Sequence, residues 1–207
     1  MAKTYETGVL EGIATWAHLT EGEVFQGTPT GKLSITVQPS KTDADKMAQI
    51  AAECFEEFKN SSENAKKKFT GEPNLGAKED KDGNIVFKFV ANEKIHTKNG
   101  QELKKTIPIF DGAGNEVTNK IKGNIGNGSI IGVSYQLFPY HNSSRTFGVS
   151  LRLQGIQIIK YVPYGGHDAA SMGFAKHDGA FDGSSIIADT DEEDIAGEVP
   201  FPAEEDF

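Results

Sequence analysis

Between Thr146 and Val162 the chain alternates apolar and polar residues and then slips by one step at a glycine, a pattern no helix can use. Phe147, Val149, Leu151 and Leu153 alternate with Gly148, Ser150, Arg152 and Gln154, whereas beyond Gly155 the apolar residues fall at Ile156 and Ile158. Alternation sends successive side chains to opposite faces, so this is a strand with one face inward. A phase change at a glycine reads as a β-bulge, which small barrels use to turn a corner. Ile130 to Tyr140 forms the preceding long strand, joined to this one through His141-Asn142-Ser143-Ser144-Arg145.

The rest of residues 1–165 follows the same grammar. A first strand covers about Thr7 to His18, with Val9, Ile13 and Trp16 as its larger apolar residues and Gly12 as an expected bulge or bend. Thr28-Pro29-Thr30-Gly31 is turn-like, and Lys32 to Gln38 then alternates with Leu33, Ile35 and Val37 inward. Met47, Ile50, Ala51, Cys54, Phe55 and Phe58 recur at helical spacing, which predicts one amphipathic helix from about Asp43 to Asn60, capped by Thr42 or Asp43. Asn60 to Asn84 reads as a long loop, with a tight turn at Asp82-Gly83 before the strand Ile85 to Ala91. A hairpin turn at Asn99-Gly100 leads to a strand from Leu103 through Phe110, and Asp111 to Asn115 closes another turn. The fold class is therefore mainly β: an OB-like barrel with one inserted α-helix, although a sandwich would use the same strands.

The formal net charge of −9 conceals two unlike parts. From Gly166 to Phe207 there are twelve Asp/Glu against the single Lys176, a net of −11, which leaves residues 1–165 at +2. Lys88 to Lys160 alone holds ten basic residues against four acids, a net of +6. Past Gly166 the apolar residues are isolated among Gly, Ala, Ser and acids, too few to offset the entropy of ordering. Residues 1–165 are thus expected to be the folded domain, and 166–207 a disordered acidic tail.

Enzyme signatures are missing. The Gly-rich loops at Asp111–Asn115 and Gly123–Ser129 lack the Gly-Lys-Ser/Thr ending of a phosphate-cradling loop. His167-Asp168 and His177-Asp178 could suggest metal ligands, but they lie in the tail, where no scaffold would pre-organise them. Neither a nucleophile elbow nor a spaced Cys cluster occurs, so no catalytic residue, metal or cofactor is assigned. Cys54 is the only cysteine, which precludes an intrachain disulfide. The start of the chain has no signal-like apolar run and no stretch approaches membrane-spanning length, so a soluble, intracellular protein is expected.

A nucleic-acid single strand needs cations for its phosphates and aromatic faces for its bases. Residues 88–164 offer both, with rings at Tyr135, Phe138, Tyr140, Phe147, Tyr161 and Tyr164. The candidate contacts are Trp16, Lys88, Lys94, Lys98, Lys104, Lys105, Lys122, Tyr135, Tyr140, Arg145 and Arg152. Tyr135 shares the phase of Ile131 and Val133, which favours packing, whereas Tyr140 and Arg145 flank a hairpin loop and Arg152 points away from Leu151 and Leu153.

Several ordered segments carry a resemblance. They are Lys32-Leu-Ser-Ile-Thr-Val-Gln-Pro39 before a helix, Gly83-Asn-Ile-Val-Phe-Lys-Phe89, Pro108-Ile-Phe-Asp-Gly112, Val133-Ser-Tyr-Gln-Leu-Phe-Pro-Tyr140, Val149-Ser-Leu-Arg-Leu-Gln-Gly155 and the acidic end Ala203-Glu-Glu-Asp-Phe207. Together the body and tail resemble the single-stranded DNA-binding proteins of lytic bacteriophages that encode their own replisome. The resemblance implies an OB fold, a homodimer, and a role in DNA replication, recombination and repair in the cytoplasm of the infected bacterial host cell. It also implies a tail that contacts the replicative DNA polymerase and the helicase–primase, here through Asp191, Glu192, Glu193, Asp194, Glu204, Glu205, Asp206 and Phe207. The competing expectation is a β-barrel accessory protein that binds no DNA and uses the tail only as a docking peptide.

Overall fold

The two long alternating runs pair as the backbone of a barrel. The computed structural model describes residues 6–97, 99–121 and 125–164. In chain order the elements are β1 (Thr7–His18), β2 (Val24–Phe25), β3 (Thr28–Pro29), β4 (Lys32–Gln38), α1 (Lys41–Asn60), β5 (Ala77–Glu79), β6 (Ile85–Asn92), β7 (Lys94–His96), β8 (Glu102–Lys104), β9 (Ile109–Phe110), α2 (Thr118–Ile121), β10 (Ile130–Ser143) and β11 (Thr146–Lys160).

β10 and β11 run antiparallel from the pair Ser143↔Thr146 to Ile130↔Lys160. Ile131, Val133 and Leu137 face Leu151, Leu153, Ile156 and Ile158 in the interior. Their register slips where Ser134 faces Gly155 but Tyr135 faces Leu153, so the bulge lies where the phase change foretold it. The bulge lets β11 turn and accept β9 in parallel, with Ile156 donating its N–H to the Pro108 carbonyl at 3.0 Å.

β1 pairs with β10 on one side and β4 on the other, and β4 pairs with β6. The ring closes through β6 and β11, which meet in parallel at Val90↔Arg152. The strand order β1-β4-β6-β11-β10-β1 is that of an OB barrel. Leu33, Ile35, Val37, Phe87 and Phe89 are wholly buried inside it.

α1 contributes Ala44, Met47 and Phe55 to the same core. Phe55 stacks on Phe147 at 5.6 Å and meets the edge of Phe69 at 5.8 Å. Its cap is Ser40, not Thr42 or Asp43: Ser40 is extended after Pro39, and its Oγ accepts the Asp43 N–H at 3.2 Å.

Other departures have equally local causes. The expected bulge at Gly12 is absent, because β1 pairs regularly with β10 there; the glycine is needed since a Cβ would run into the Gln38 carbonyl and Val37. The irregularity falls instead between Thr15 and His18, where Trp16 adopts φ 53°. The strand expected from Leu103 through Phe110 splits into β8 and β9, since Ile107 dives into the core and Pro108 has no N–H to donate. β5 occupies part of the expected long loop and pairs with β6. The β2–β3 hairpin turns through Gln26 and Gly27, both with positive φ. A second, one-turn helix, α2, joins the one predicted.

Candidate nucleic-acid interface

Because Leu151 and Leu153 point inward, Ser150, Arg152 and Gln154 point out, and the same alternation turns Lys88 and Val90 of β6 outward beside them. Lys32, at the exposed start of β4, completes this face. Two adjoining clefts of about 500 and 510 Å³ run across it and share Lys32, Val90, Ser150 and Arg152. The first adds Lys78, Lys88, Phe138 and Tyr140, and the second adds Lys94, Lys105, Gln136 and Gln154. Among the described residues six cations therefore line the double cleft, and the carboxylates of Glu23 and Glu102 reach two of them, Lys88 and Lys94.

The Arg152 guanidinium lies flat over the Phe138 ring, 3.3 Å from its centroid. Phe138 pairs with Ser150 across the β10–β11 ladder, and Gln136 pairs with Arg152, so ring and guanidinium are diagonal neighbours on one face. Lys105 is partly buried, and that burial, reinforced by the charge of Arg152, pulls its ammonium below the ordinary lysine value. Lys94 goes the other way: a hydrogen bond from its Nζ to Glu102 at 2.8 Å holds its proton more tightly. Lys88 pairs with Glu23, which reaches in from the loop between β1 and β4. That loop is anchored by the Glu23 N–H donating to the Lys32 carbonyl at 2.8 Å.

The candidates from sequence divide accordingly. Lys88, Lys94, Lys105, Tyr140 and Arg152 come together in the double cleft. Lys104 is exposed on β8, and Arg145 is exposed in the β10–β11 turn. Tyr135 is a correction: it is 5% exposed and packs against Phe89 at 5.7 Å, so it has no face left for a base. Trp16 is 69% exposed but lines a different opening, with Asn127 and Tyr164. Lys98, Lys122 and the tail positions Asp191, Glu192, Glu193, Asp194, Glu204, Glu205, Asp206 and Phe207 lie outside the described residues, as do His167-Asp168 and His177-Asp178.

Lys32 and Lys78 lie outside the basic segment Lys88–Lys160, so charge asymmetry along the chain does not point to them. Lys32 had a signal, since it stands in the polar phase of the alternating run Lys32–Gln38. Among the described residues no group of three or more His, Cys, Asp or Glu could hold a metal ion, and no helix is long and apolar enough to cross a membrane. Cys54 is half-buried, and burial raises its thiol above the usual value, which opposes nucleophilic use.

An OB barrel with a strongly cationic cleft bordered by rings defines a class, the nucleic-acid-binding OB modules. A family model described as single-stranded DNA-binding protein, bacteriophage T7, matches residues 30–161. The chain belongs to this family of phage single-stranded DNA-binding proteins. Its fold is similar to that of gp2.5, a single-stranded DNA-binding protein encoded by bacteriophage T7, with a TM-score of 0.59 at 17% identity over 86% of this chain and 100% of that one. The single-stranded DNA-binding protein of bacteriophage Enc34 in complex with ssDNA aligns with a TM-score of 0.54 at 15% identity, over 77% of this chain and 89% of that one. Another structure of the Enc34 protein gives 0.52 at 18% identity, over 87% and 89%. No curated protein matches significantly.

Proposed function

We propose that this chain binds single-stranded DNA along the double cleft, with phosphates on Lys32, Lys78, Lys88, Lys94 and Lys105 and bases against Phe138, Tyr140 and the plane of Arg152. The observation that carries the reading is the concentration of six cations on one face, two of them, Lys88 and Lys94, in ion pairs with the carboxylates of Glu23 and Glu102, next to a ring already covered by a guanidinium. Cations neutralise phosphates without reading sequence, and rings accept any base, so binding should be tight but tolerant of sequence. A duplex hides its base faces in the stack and offers this site only phosphates.

As the resemblance to its family implies, the protein would act in phage DNA replication, recombination and repair as a homodimer. The −11 segment Gly166–Phe207 would then recruit the replicative polymerase and the helicase–primase, with Phe207 filling an apolar pocket while Asp206 and the α-carboxylate meet a basic rim.

Gel shifts of single- and double-stranded DNA over a salt series test the core of this proposal. The expected result is a preference for single strands and a log–log salt slope of about −3 to −4, as four to six neutralised phosphates would give at roughly 0.7 per phosphate. Equal affinity for duplex, or no binding to oligo-dT at low salt, would return the barrel to a docking role. Deleting Ala203–Phe207 should abolish polymerase binding while leaving the DNA complex intact.

A further inference from the structure

A second opening, of about 360 Å³, lies at the C-terminal end of β1 and shares no lining residue with the double cleft. Trp16 and Tyr164 border it, and at 69% and 70% exposure they are the most exposed large apolar side chains among the described residues. Neither ring earns its place by filling the core. Trp16 also sits at φ 53°, a left-handed conformation that bulky residues avoid.

The chain holds this arrangement from three directions. Asn127 Oδ1 accepts the Trp16 N–H at 2.9 Å and pins the bulge. The loop carrying Asn127 is tied to β1 by Ala14 N–H to the Ser129 carbonyl at 2.8 Å and Gly128 N–H to the Ala14 carbonyl at 2.9 Å. It is tied to the segment after β11 by Gly126 N–H to the Val162 carbonyl at 2.8 Å and by the Ile125↔Pro163 bridge, which sets Tyr164 beside it. These bonds thus bring the backbones of Trp16 and Tyr164 to one mouth.

Its lining decides what it can take. Among the described residues it holds no Lys or Arg and does hold Glu21, which disfavours a phosphate; His18, Thr20 and Asn127 offer groups to the edge of a flat polar ring. It is also close to the double cleft along the chain. Glu21 lines this opening, and Glu23, at most about 7 Å further along an extended backbone, pairs with Lys88 inside the cleft.

We infer that the Trp16–Tyr164 opening is a separate base subsite, which takes one unstacked nucleobase from a strand that continues out of the cationic cleft along residues 19–31. The inference rests on the reading that the cleft holds single-stranded DNA. Only a strand longer than the cleft reaches the subsite, so its contribution depends on length.

Trp16 is the only tryptophan, so its emission reports this opening alone. An oligo-dT series from about 4 to about 20 nucleotides, spanning the site sizes of OB folds, would be titrated with dye anisotropy as an independent measure of binding. Emission should be quenched only by the longer oligonucleotides. Tyr164→Ala removes an exposed ring, and Trp16→Gly keeps a residue suited to positive φ; each should weaken the longest oligonucleotide about 5- to 100-fold and leave the shortest unchanged. If both variants bind the longest oligonucleotide as tightly as the unaltered protein, the subsite is refuted while the cleft stands. If no oligonucleotide raises the anisotropy at low salt, the cleft and the subsite fall together.

Discussion

The guanidinium of Arg152 rests 3.3 Å above the ring of Phe138, so the flattest cation in the cleft is held in a stack before any ligand arrives. A base adding to that stack meets a plane whose ordering has already been settled within the protein.

Removing either partner should therefore cost affinity. Arg152→Ala and Phe138→Ala are each expected to weaken oligo-dT binding about 5- to 100-fold, read by anisotropy at fixed salt. Arg152→Lys keeps the charge and loses the plane, so it should restore the salt slope but little of the affinity. Full rescue by lysine would reduce Arg152 to a point charge.

Glu23 makes the opposite prediction. Its carboxylate occupies Lys88, so a phosphate must displace it. Glu23→Gln should raise affinity for single strands several-fold at low salt, within the roughly 1 kcal/mol that exposed ion pairs are worth, and the gain should shrink as salt rises. An unchanged or lower affinity would mean that Lys88 does not touch the strand.

Lys105 predicts a pH effect. Burial and then Arg152 depress its folded value below 10.5, so as pH rises it loses its charge earlier than an ordinary lysine. Between that lowered value and 10.5 the unfolded chain binds more protons, so this group contributes stability that grows with pH, while DNA affinity falls over the same window. Arg152→Ala should move the Lys105 titration upward, as followed by NMR of its side-chain amine.

Gly148 supports the floor of the cleft. It has φ 151° and bridges Asn74, whose backbone would collide with any Cβ placed there. Gly148→Ala should destabilise the barrel by about 2–4 kcal/mol, measurable by urea denaturation.

Much of the barrel was legible because its strands alternate. The run Lys32–Gln38 and the slip at Gly155 give their own inward faces, and periodicity alone separates α1 from its neighbours. The site was less legible because it is assembled across strands. Arg152 and Phe138 are neighbours only through the β10–β11 register, and Lys32 joins them only once β4, β6 and β11 lie side by side. Tyr135 and Tyr140 are both tyrosines on one strand, yet Tyr135 faces the core and Tyr140 lines the cleft. The hairpin β2–β3 left little trace beyond a turn, since two-residue strands are too short to show a period.

β6 and β11 are joined by the single residue pair Val90↔Arg152. The residue proposed to offer its guanidinium to a base is also the one at which the β-ring is fastened, and a fastening of one pair is where a barrel opens most readily. A ligand that binds only the closed form adds its own free energy to that fastening. Loading with DNA should therefore slow amide exchange first along β6 and β11, so that the seam of the empty protein becomes its most firmly shut part when it is at work.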